Sequence, residues 1–344
     1  MTLATTVLDE FRLAYERSKM DAYEHRRSIY GAYQTFLGDT PNLIPGYQDL
    51  VLGHTYSGQT TSVPVIQRAT YSTSAARSCT KKTAENTSAF VAVTFTVIET
   101  GFQMIPAQYG ANYIKYQEDF NRKMEDVQRT FLATLDTAAV ANLNTNKSAV
   151  NNADGNPYTV ASNIMIVPNE DNDLFFNELG SIMLQNDFDG LYNVVATPRV
   201  RALINELQAQ GSGNDANRSF QFGGLSLAYT RSITVPTGYR DVTYSMPVGS
   251  LGYLSWVDKD SQMNHKSGDG HEWYEQFLPL LGHNVGVLYS STCADKAAAG
   301  SLTGLEATLH ESWMFSFDYA FVNAYNSDTS TYPGTIFRAD FSKT

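Results

Sequence analysis

Residues 107–142 decide the fold: AQYGANYIKYQEDFNRKMEDVQRTFLATLDTAAVAN. Apolar side chains recur in this stretch at steps of three and four residues, which is the spacing of one face of an α-helix. The apolar stripe is formed by Tyr109, Tyr113, Tyr116, Phe120, Met124, Val127, Phe131, Leu135 and Ala138. Pro106 stands directly before the stretch and suits the first turn of a helix. The pattern predicts a single helix from Ala107 to Asn142, about 54 Å long at ~1.5 Å per residue.

The face opposite the stripe carries charged side chains in complementary pairs. Three acids each precede a base by four residues, an order that stabilises an isolated helix by about 0.2–0.5 kcal/mol per pair. The pairs are Glu118 with Arg122, Asp119 with Lys123, and Glu125 with Arg129. A long helix with one apolar stripe is expected to pack on a sheet or on neighbouring elements. A coiled coil is the alternative, although crowded aromatic side chains fit its a and d positions poorly.

The segment before this helix has a different charge from the remainder of the chain. Residues 50–84 contain four bases and no acid, whereas the whole chain has a formal net charge of −11, so the remainder sums to −15. Residues 61–71 and 88–98 have the alternating, β-branched character of strands. We therefore predict a two-stranded excursion with a basic tip. Because an isolated ribbon is marginal in water, it should lie on an acidic surface, such as that of a sister subunit.

The four bases of this excursion are the residues that we predict to contact neighbouring subunits. They are Arg68, Arg77, Lys81 and Lys82. A solvated basic loop is the alternative interpretation. One exposed ion pair contributes under ~1 kcal/mol. Repeated in every subunit of an assembly, such pairs can still fix the register, and they weaken as salt is added.

The segments on either side predict an N-terminal arm and an α+β region. Residues 6–37 have mostly helical spacing, and the breakers Gly38, Pro41, Pro45 and Gly46 follow. Turn-forming residues at 151–157 mark a boundary. Beyond it we predict helices at 173–186 and 198–210. The predicted strands are 164–167, 191–196, 225–234, 242–246, 251–257, 285–290 and 307–324.

Composition limits the class of protein. Of 344 residues, 42% are hydrophobic and 17% are charged, which is typical of a globular chain whose uncharged polar surface desolvates at low cost in protein–protein contacts. The negative charge argues against a protein that wraps its whole surface in nucleic acid. Cys79 and Cys293 predict two unpaired thiols. Since neither a signal peptide nor ~20 consecutive apolar residues occur, we expect no membrane association and synthesis in the cytoplasm.

Candidate catalytic and metal-binding groups are few. They are His265, His271, Glu272 and His283, and the acid pairs Asp171/Asp173 and Asp258/Asp260. The histidines match no zinc spacing and are predicted to be solvated residues of a loop. The acid pairs lack the remainder of a calcium-binding loop. Because the sequence also lacks GxSxG, GxxxxGK[ST] and GxGxxG, we expect no enzymatic activity, no cofactor and no metal.

The order of these elements resembles the HK97-fold major capsid proteins of tailed bacteriophages. A basic β excursion, a long helix, an α+β region and a returning β segment follow one another, and the strand-to-helix run Asn193-Val-Val-Ala-Thr-Pro198 has a similar local texture. The resemblance implies an α+β, HK97-like capsid fold with four parts. These are an N-terminal arm (1–48), an extended β E-loop (49–87), a P-domain with the spine helix (88–150 and 305–344) and an A-domain (151–304).

The resemblance also implies a function. Copies of a major capsid protein self-assemble, as hexamers and pentamers, into an icosahedral shell that encloses packaged double-stranded DNA without sequence-specific binding. A separate scaffolding protein and a portal protein are the implied partners, since only 48 residues precede the predicted E-loop. The implied location is the virion, with assembly in the host cytoplasm.

Two other functions remain open from the sequence. An encapsulin-like nanocompartment has the same fold and holds protein cargo, but the long N-terminal segment and the long E-loop favour the phage protein. An α+β binding protein or enzyme with an unrecognised site is the third possibility, and the missing motifs count against it.

Overall fold

The computed structural model describes residues 30–43, 51–56, 58–66, 88–110, 112–148, 157–172, 174–186, 188–210, 225–258, 271–295, 307–324 and 334–343. Helices and strands are mixed along the chain, as the α+β prediction requires. Within these ranges, no helix is both long enough and apolar enough to span a membrane.

The long helix, α2, spans Tyr113–Thr145 and begins later than predicted. Residues Pro106–Tyr109 form a 3-10 turn instead, and Gly110 follows it with a φ of 56°. Glycine adopts this left-handed conformation without a steric penalty, so the turn ends there and a new helix must start. Asn112 caps that helix, because its side-chain oxygen accepts a hydrogen bond from the Lys115 backbone N–H at 3.2 Å.

The apolar stripe of α2 packs on one sheet, as predicted. The buried stripe residues are Tyr116, Phe120, Met124, Val127, Phe131 and Leu135. The ring centroid of Phe120 lies 4.9 Å from that of Trp313, and Phe131 lies 5.1 Å from Phe317, both edge to face. Such pairs contribute about 0.5–1.5 kcal/mol beyond their buried area. Because the sheet occupies the stripe, α2 has no free seam for a coiled coil, although Tyr113 at its start is 47% exposed.

Two of the three predicted ion pairs form along α2. Lys123 Nζ lies 3.0 Å from the Asp119 carboxylate, and Arg129 contacts Glu125. Lys123 also donates to the Gln103 carbonyl at 3.0 Å, which ties the helix to the sheet.

The sheet beneath α2 has five antiparallel strands. They are β3 (Thr96–Met104), β9 (Leu251–Trp256), β10 (His271–Leu278), β11 (His283–Asp295) and β12 (Ala307–Asn323). The order is β10-β11-β12-β3, and β9 pairs with the far end of β12. Asp318 and Tyr319 pair with both β3 and β9, so those two strands flank β12 on opposite sides.

Two strands pair near the positions predicted for the excursion, whose basic segment lies outside the described residues. Strands β1 (Thr60–Ile66) and β2 (Ser88–Thr94) pair antiparallel over seven residues, with Thr60 opposite Thr94. The second strand is shorter than predicted, because it ends before Phe95. The following strand, β3, belongs to the five-stranded sheet. We call the β1–β2 pair the ribbon.

A second sheet has six strands. They are β4 (Thr159–Ala161), β5 (Ile164–Val167), β6 (Tyr192–Ala196), β7 (Leu225–Tyr229), β8 (Tyr239–Pro247) and β13 (Phe337–Ser342), in the order β4-β5-β13-β8-β6-β7. Helices α3 (Phe175–Gln185) and α4 (Val200–Gln210) contribute to the core on one face. On the other face, Val195, Val242 and Tyr244 join the core beneath α2, so this core links the two sheets.

Strand pairing crosses the part boundaries expected from the resemblance. Strand β13 comes from the expected P-domain but lies between β5 and β8. Strands β9, β10 and β11 come from the expected A-domain but pair within the five-stranded sheet. The division into four parts stays a prediction.

Helix α1 spans Gly31–Leu43 and passes through Gly38 and Pro41, where the sequence predicts a break. Pro41 is the third-to-last residue of the helix, so it removes only one hydrogen bond near the terminus. The buried Asp39 carboxylate accepts two backbone hydrogen bonds. The Gly249 N–H, in the turn before β9, donates at 2.7 Å, and the Leu251 N–H, at the start of β9, donates at 2.9 Å. These tertiary contacts outweigh the low helix propensity of the two breakers.

The predicted histidine loop is wrong for the residues that can be compared. His271 and Glu272 begin β10, and His283 begins β11. His265 lies outside the described residues. Strand β13 was also not predicted.

Candidate assembly surfaces

The four predicted contact residues cannot be located in the fold. Arg68, Arg77, Lys81 and Lys82 all fall within residues 67–87, outside the described part of the chain. Their role in subunit contacts stays a prediction. The strands that lead to and from them are described, and so is the point where those strands leave the body.

The ribbon is anchored to the body at its base. The Gly58 backbone N–H donates a hydrogen bond to the Asp318 carboxylate at 2.7 Å, and the Phe95 N–H donates to the Gln59 carbonyl at 3.1 Å. Asp318 belongs to β12 and is 2% exposed. A buried carboxylate that accepts a backbone hydrogen bond is costly to release, so the base of the ribbon is held in one position.

His54 fills the space beside this anchor. Its ring lies 4.2 Å from that of Phe95 and 4.4 Å from that of Trp256, between centroids, and its Nε2 lies 3.7 Å from Asp318. Burial lowers the pKa of His54 below 6.5, although Asp318 acts in the opposite direction. The ring is therefore neutral and packs between the aromatic rings of Phe95 and Trp256. Sequence reasoning missed this residue, because one histidine among turn residues carries no pattern.

The five-stranded sheet has a second face, which α2 does not cover. We call it the outer face. Strand registers place Glu99, Ser316, Gly286 and Glu275 in one row across β3, β12, β11 and β10, with Glu99 and Glu275 exposed at the two ends. The neighbouring row is Gly101, Met314, Leu288 and Trp273. The ribbon base covers only one end of this face, where Val93 and Phe95 pack with Leu254 and Ala320.

A cleft of about 440 Å³ opens between the ribbon base and the end of β10. Its lining residues are Val51, Leu52, His54, Ser255, Trp256, Val257, Glu275 and Asn284. Half of these residues are apolar and half are polar, and Glu275 supplies an exposed carboxylate to which Asn284 donates a hydrogen bond at 2.8 Å. Leu52, on the rim, is 79% exposed.

The buried acid Glu311 is held by tyrosines. The Tyr116 hydroxyl contacts one carboxylate oxygen, and the Tyr289 hydroxyl donates to the other at 3.3 Å. Burial and this carboxylate together raise the pKa of Tyr289 to about 12. Within the described ranges, no group of three His, Cys, Asp or Glu side chains is placed to hold a metal ion.

The described fold can be compared with those of solved structures. It is similar to phage capsid structures. A structure from Mycobacterium phage Adephagia matches with a TM-score of 0.48 and 11% identity, over 90% of each chain. The capsid structure of cyanophage P-SCSP1u matches with a TM-score of 0.46 and 9% identity, over 85% of this chain and 86% of that one. The capsid of Ralstonia phage GP4 matches with a TM-score of 0.46 and 10% identity, over 90% of each. Neither a family model nor a curated protein matches the chain.

Proposed function

We propose that this chain is the major capsid protein of a tailed phage, a non-enzymatic subunit that assembles with copies of itself into a closed icosahedral shell. The observation that carries the proposal is the ribbon. Its base is fixed in the body, and most of the segment between its strands belongs to residues 50–84, an acid-free stretch that holds +4 in a chain of −11. A basic segment of this kind is attracted to an acidic surface, and the remainder of every other copy carries a net charge of −15.

Exposed apolar side chains support repeated contact between copies. Leu52, Ile114 and Leu191 are 79%, 70% and 61% exposed. Leu191 lies next to Val248, which is 38% exposed and donates a backbone hydrogen bond to it at 2.9 Å. Neighbouring exposed apolar residues of this kind favour contact surfaces, because association removes them from water.

The finer parts of the proposal follow from the resemblance to HK97-fold proteins. Hexamers and pentamers form the shell, and scaffolding and portal proteins assist its assembly in the host cytoplasm. The virion encloses double-stranded DNA, which the shell does not bind sequence-specifically. The contents of purified shells distinguish this function from an encapsulin-like compartment: DNA supports the phage protein, and a protein cargo supports the compartment.

The test is a charge reversal in the basic segment. We expect Arg77→Glu, Lys81→Glu and Lys82→Glu together to leave the subunit folded and to abolish closed shells in negative-stain images and sedimentation profiles. A matched control reverses three exposed bases elsewhere, Lys115→Glu, Arg122→Glu and Arg199→Glu, with the same change in net charge.

Two outcomes would contradict the proposal. If the unchanged chain stays monomeric at all salt and protein concentrations, it is not a shell protein. If the segment variant assembles as well as the unchanged chain, the basic segment makes no essential contact. A control variant that fails equally would show that net charge matters and that the location of the charge does not.

A further inference from the structure

The five-stranded sheet has a gap along one edge of β12. Strand β11 pairs with β12 as far as Ser316, and β9 pairs with it from Asp318 onward. Because β3 pairs with residues 311–319 of β12, both β9 and β11 lie on the edge opposite β3. They follow one another end to end, and only Phe317 of β12 lies between their paired residues.

Two cavities open at this gap and adjoin one another. One is the cleft of about 440 Å³ beside the ribbon base, which contains Glu275. The other, which we call the inner cavity, has a volume of about 370 Å³ and lies between α1 and the sheet, with Leu37, Tyr253 and His283 in its walls. Cavities of this size are typical of small-molecule sites. The two share three lining residues, Val51, Leu52 and Ser255.

The inner cavity favours an uncharged, apolar guest. The Thr40 hydroxyl in its wall donates to the Phe36 carbonyl oxygen at 2.7 Å and accepts from the Tyr253 N–H at 2.7 Å. The His283 ring is paired at both nitrogens, with the Asn284 carbonyl oxygen at 2.8 Å and the Tyr253 hydroxyl at 3.0 Å. Since these polar groups are already satisfied, a polar guest would lose its hydrogen bonds to water without gaining new ones from them.

The cleft favours a positive charge. Glu275 is exposed, and the Asn284 amide donates to its carboxylate at 2.8 Å, which orients that carboxylate. Burial lowers the pKa of His54, so its ring is neutral at pH 7. The described residues that line the two cavities include no lysine or arginine. A cation in the cleft therefore meets a carboxylate and no opposing charge from the walls.

We propose that the two cavities together bind a small organic amine, whose apolar body fills the inner cavity and whose ammonium group pairs with Glu275. One short molecule can reach both, because His283 of the inner cavity and Asn284 of the cleft are consecutive residues, with Cα atoms about 3.8 Å apart. Such a ligand contacts α1 and the sheet at once, so its binding stabilises the docked position of α1. The unassembled subunit carries the whole site, so this inference does not depend on the proposed function.

The test is calorimetric titration of the full chain, as unassembled subunits, with three matched probes. We expect phenethylamine to bind with a Kd below about 1 mM and to raise the melting temperature of the subunit. Hydrocinnamate has the same ring with a carboxylate in place of the ammonium group, and ethylamine has the ammonium group without the ring. Each of these two should bind more weakly by roughly tenfold or more.

Two variants test the position of the charge. Glu275→Gln removes the charge at an exposed position, so it should weaken phenethylamine binding by roughly tenfold or more and leave the melting temperature of the free subunit unchanged. Leu52→Arg, at a side chain that is 79% exposed, adds a competing cation and should have the same effect. Glu272→Gln is the matched control and should bind normally, because Glu272 also lies on β10 but lines neither cavity.

Several results would overturn the inference. They are the absence of saturable phenethylamine binding, an equal affinity for either of the other two probes, and an unchanged affinity in Glu275→Gln or Leu52→Arg. An equal loss of affinity in Glu272→Gln would also overturn it, because the effect would then not be specific to the cleft. If Glu275→Gln lowers the melting temperature of the free subunit, Leu52→Arg decides alone. None of these results bears on shell formation, so the proposed function is tested separately.

Discussion

The ring of His283 predicts how stability of the subunit responds to acid. Its Nδ1 lies 2.8 Å from the Asn284 carbonyl oxygen, and its Nε2 lies 3.0 Å from the Tyr253 hydroxyl. A carbonyl only accepts, so we assign the proton to Nδ1, and Nε2 then accepts from Tyr253. Burial lowers the pKa of His283 from 6.5 to about 4, and the neutral ring is the form that fits.

The sign of the effect follows from proton uptake. Between pH 6.5 and pH 4 the unfolded chain binds a proton at this ring and the folded chain does not, so acid favours unfolding. Each unit of pKa difference corresponds to about 1.4 kcal/mol. With a folded pKa of about 4, His283 alone should cost roughly 2 kcal/mol of stability between pH 7 and pH 4.5.

The variant His283→Gln isolates this contribution. Glutamine keeps a donor for Asn284 and an acceptor for Tyr253, and it does not titrate. We expect the free energy of unfolding of the variant to fall by roughly 2 kcal/mol less than that of the unchanged subunit over the same pH range. Urea unfolding of unassembled subunits, followed by tryptophan fluorescence at four pH values, measures the difference. Equal pH dependence in the two proteins would refute the reasoning.

Two substitutions test the packing. Asp136→Ala should lower the free energy of unfolding, measured in urea, by about 3 kcal/mol or more. The reason is that the backbone N–H of Tyr33 and the hydroxyls of Thr230 and Ser232 lose their buried acceptor. A decrease below ~1 kcal/mol would contradict this. Gly101→Ala places a Cβ 2.4 Å from the Trp313 carbonyl oxygen and should lower the free energy of unfolding by about 2 kcal/mol. The control is Gly38→Ala, at an exposed helical position with open space around it, which should be neutral or stabilising.

The regular elements could be predicted because their signals are local. The stripe of α2 repeats over many turns, and strands β11 and β12 contain long runs of β-forming residues. The error at the start of α2 came from Gly110, since the sequence does not show whether a glycine adopts a positive φ. The passage of α1 through Pro41 depends on Asp39 and its distant partners, which no local pattern reveals.

The sequence did not predict strand β13, and the reason is different. In β13, Arg338 and Asp340 alternate with apolar residues, and their charges favour a solvated segment. In the fold these two side chains pair with each other at 2.7 Å and are nearly buried, and Asn144 of α2 accepts a further hydrogen bond from the guanidinium. A buried ion pair is stable only when its remaining partners are in place. The outer face depends in the same way on strand register, so no sequence pattern could identify it.

Under the proposed function, an anchored ribbon base would let weak ion pairs of the basic segment contribute to assembly. Each ion pair contributes under ~1 kcal/mol, which is too little to hold two copies together alone. Asp318 and His54 fix the base from which strands β1 and β2 leave the body. The remainder of the chain sums to −15, so contacts between copies that leave out the basic segment would bring like net charges together. In the proposed shell, weak individual contacts would let misplaced subunits dissociate and bind again, so that a closed shell could form.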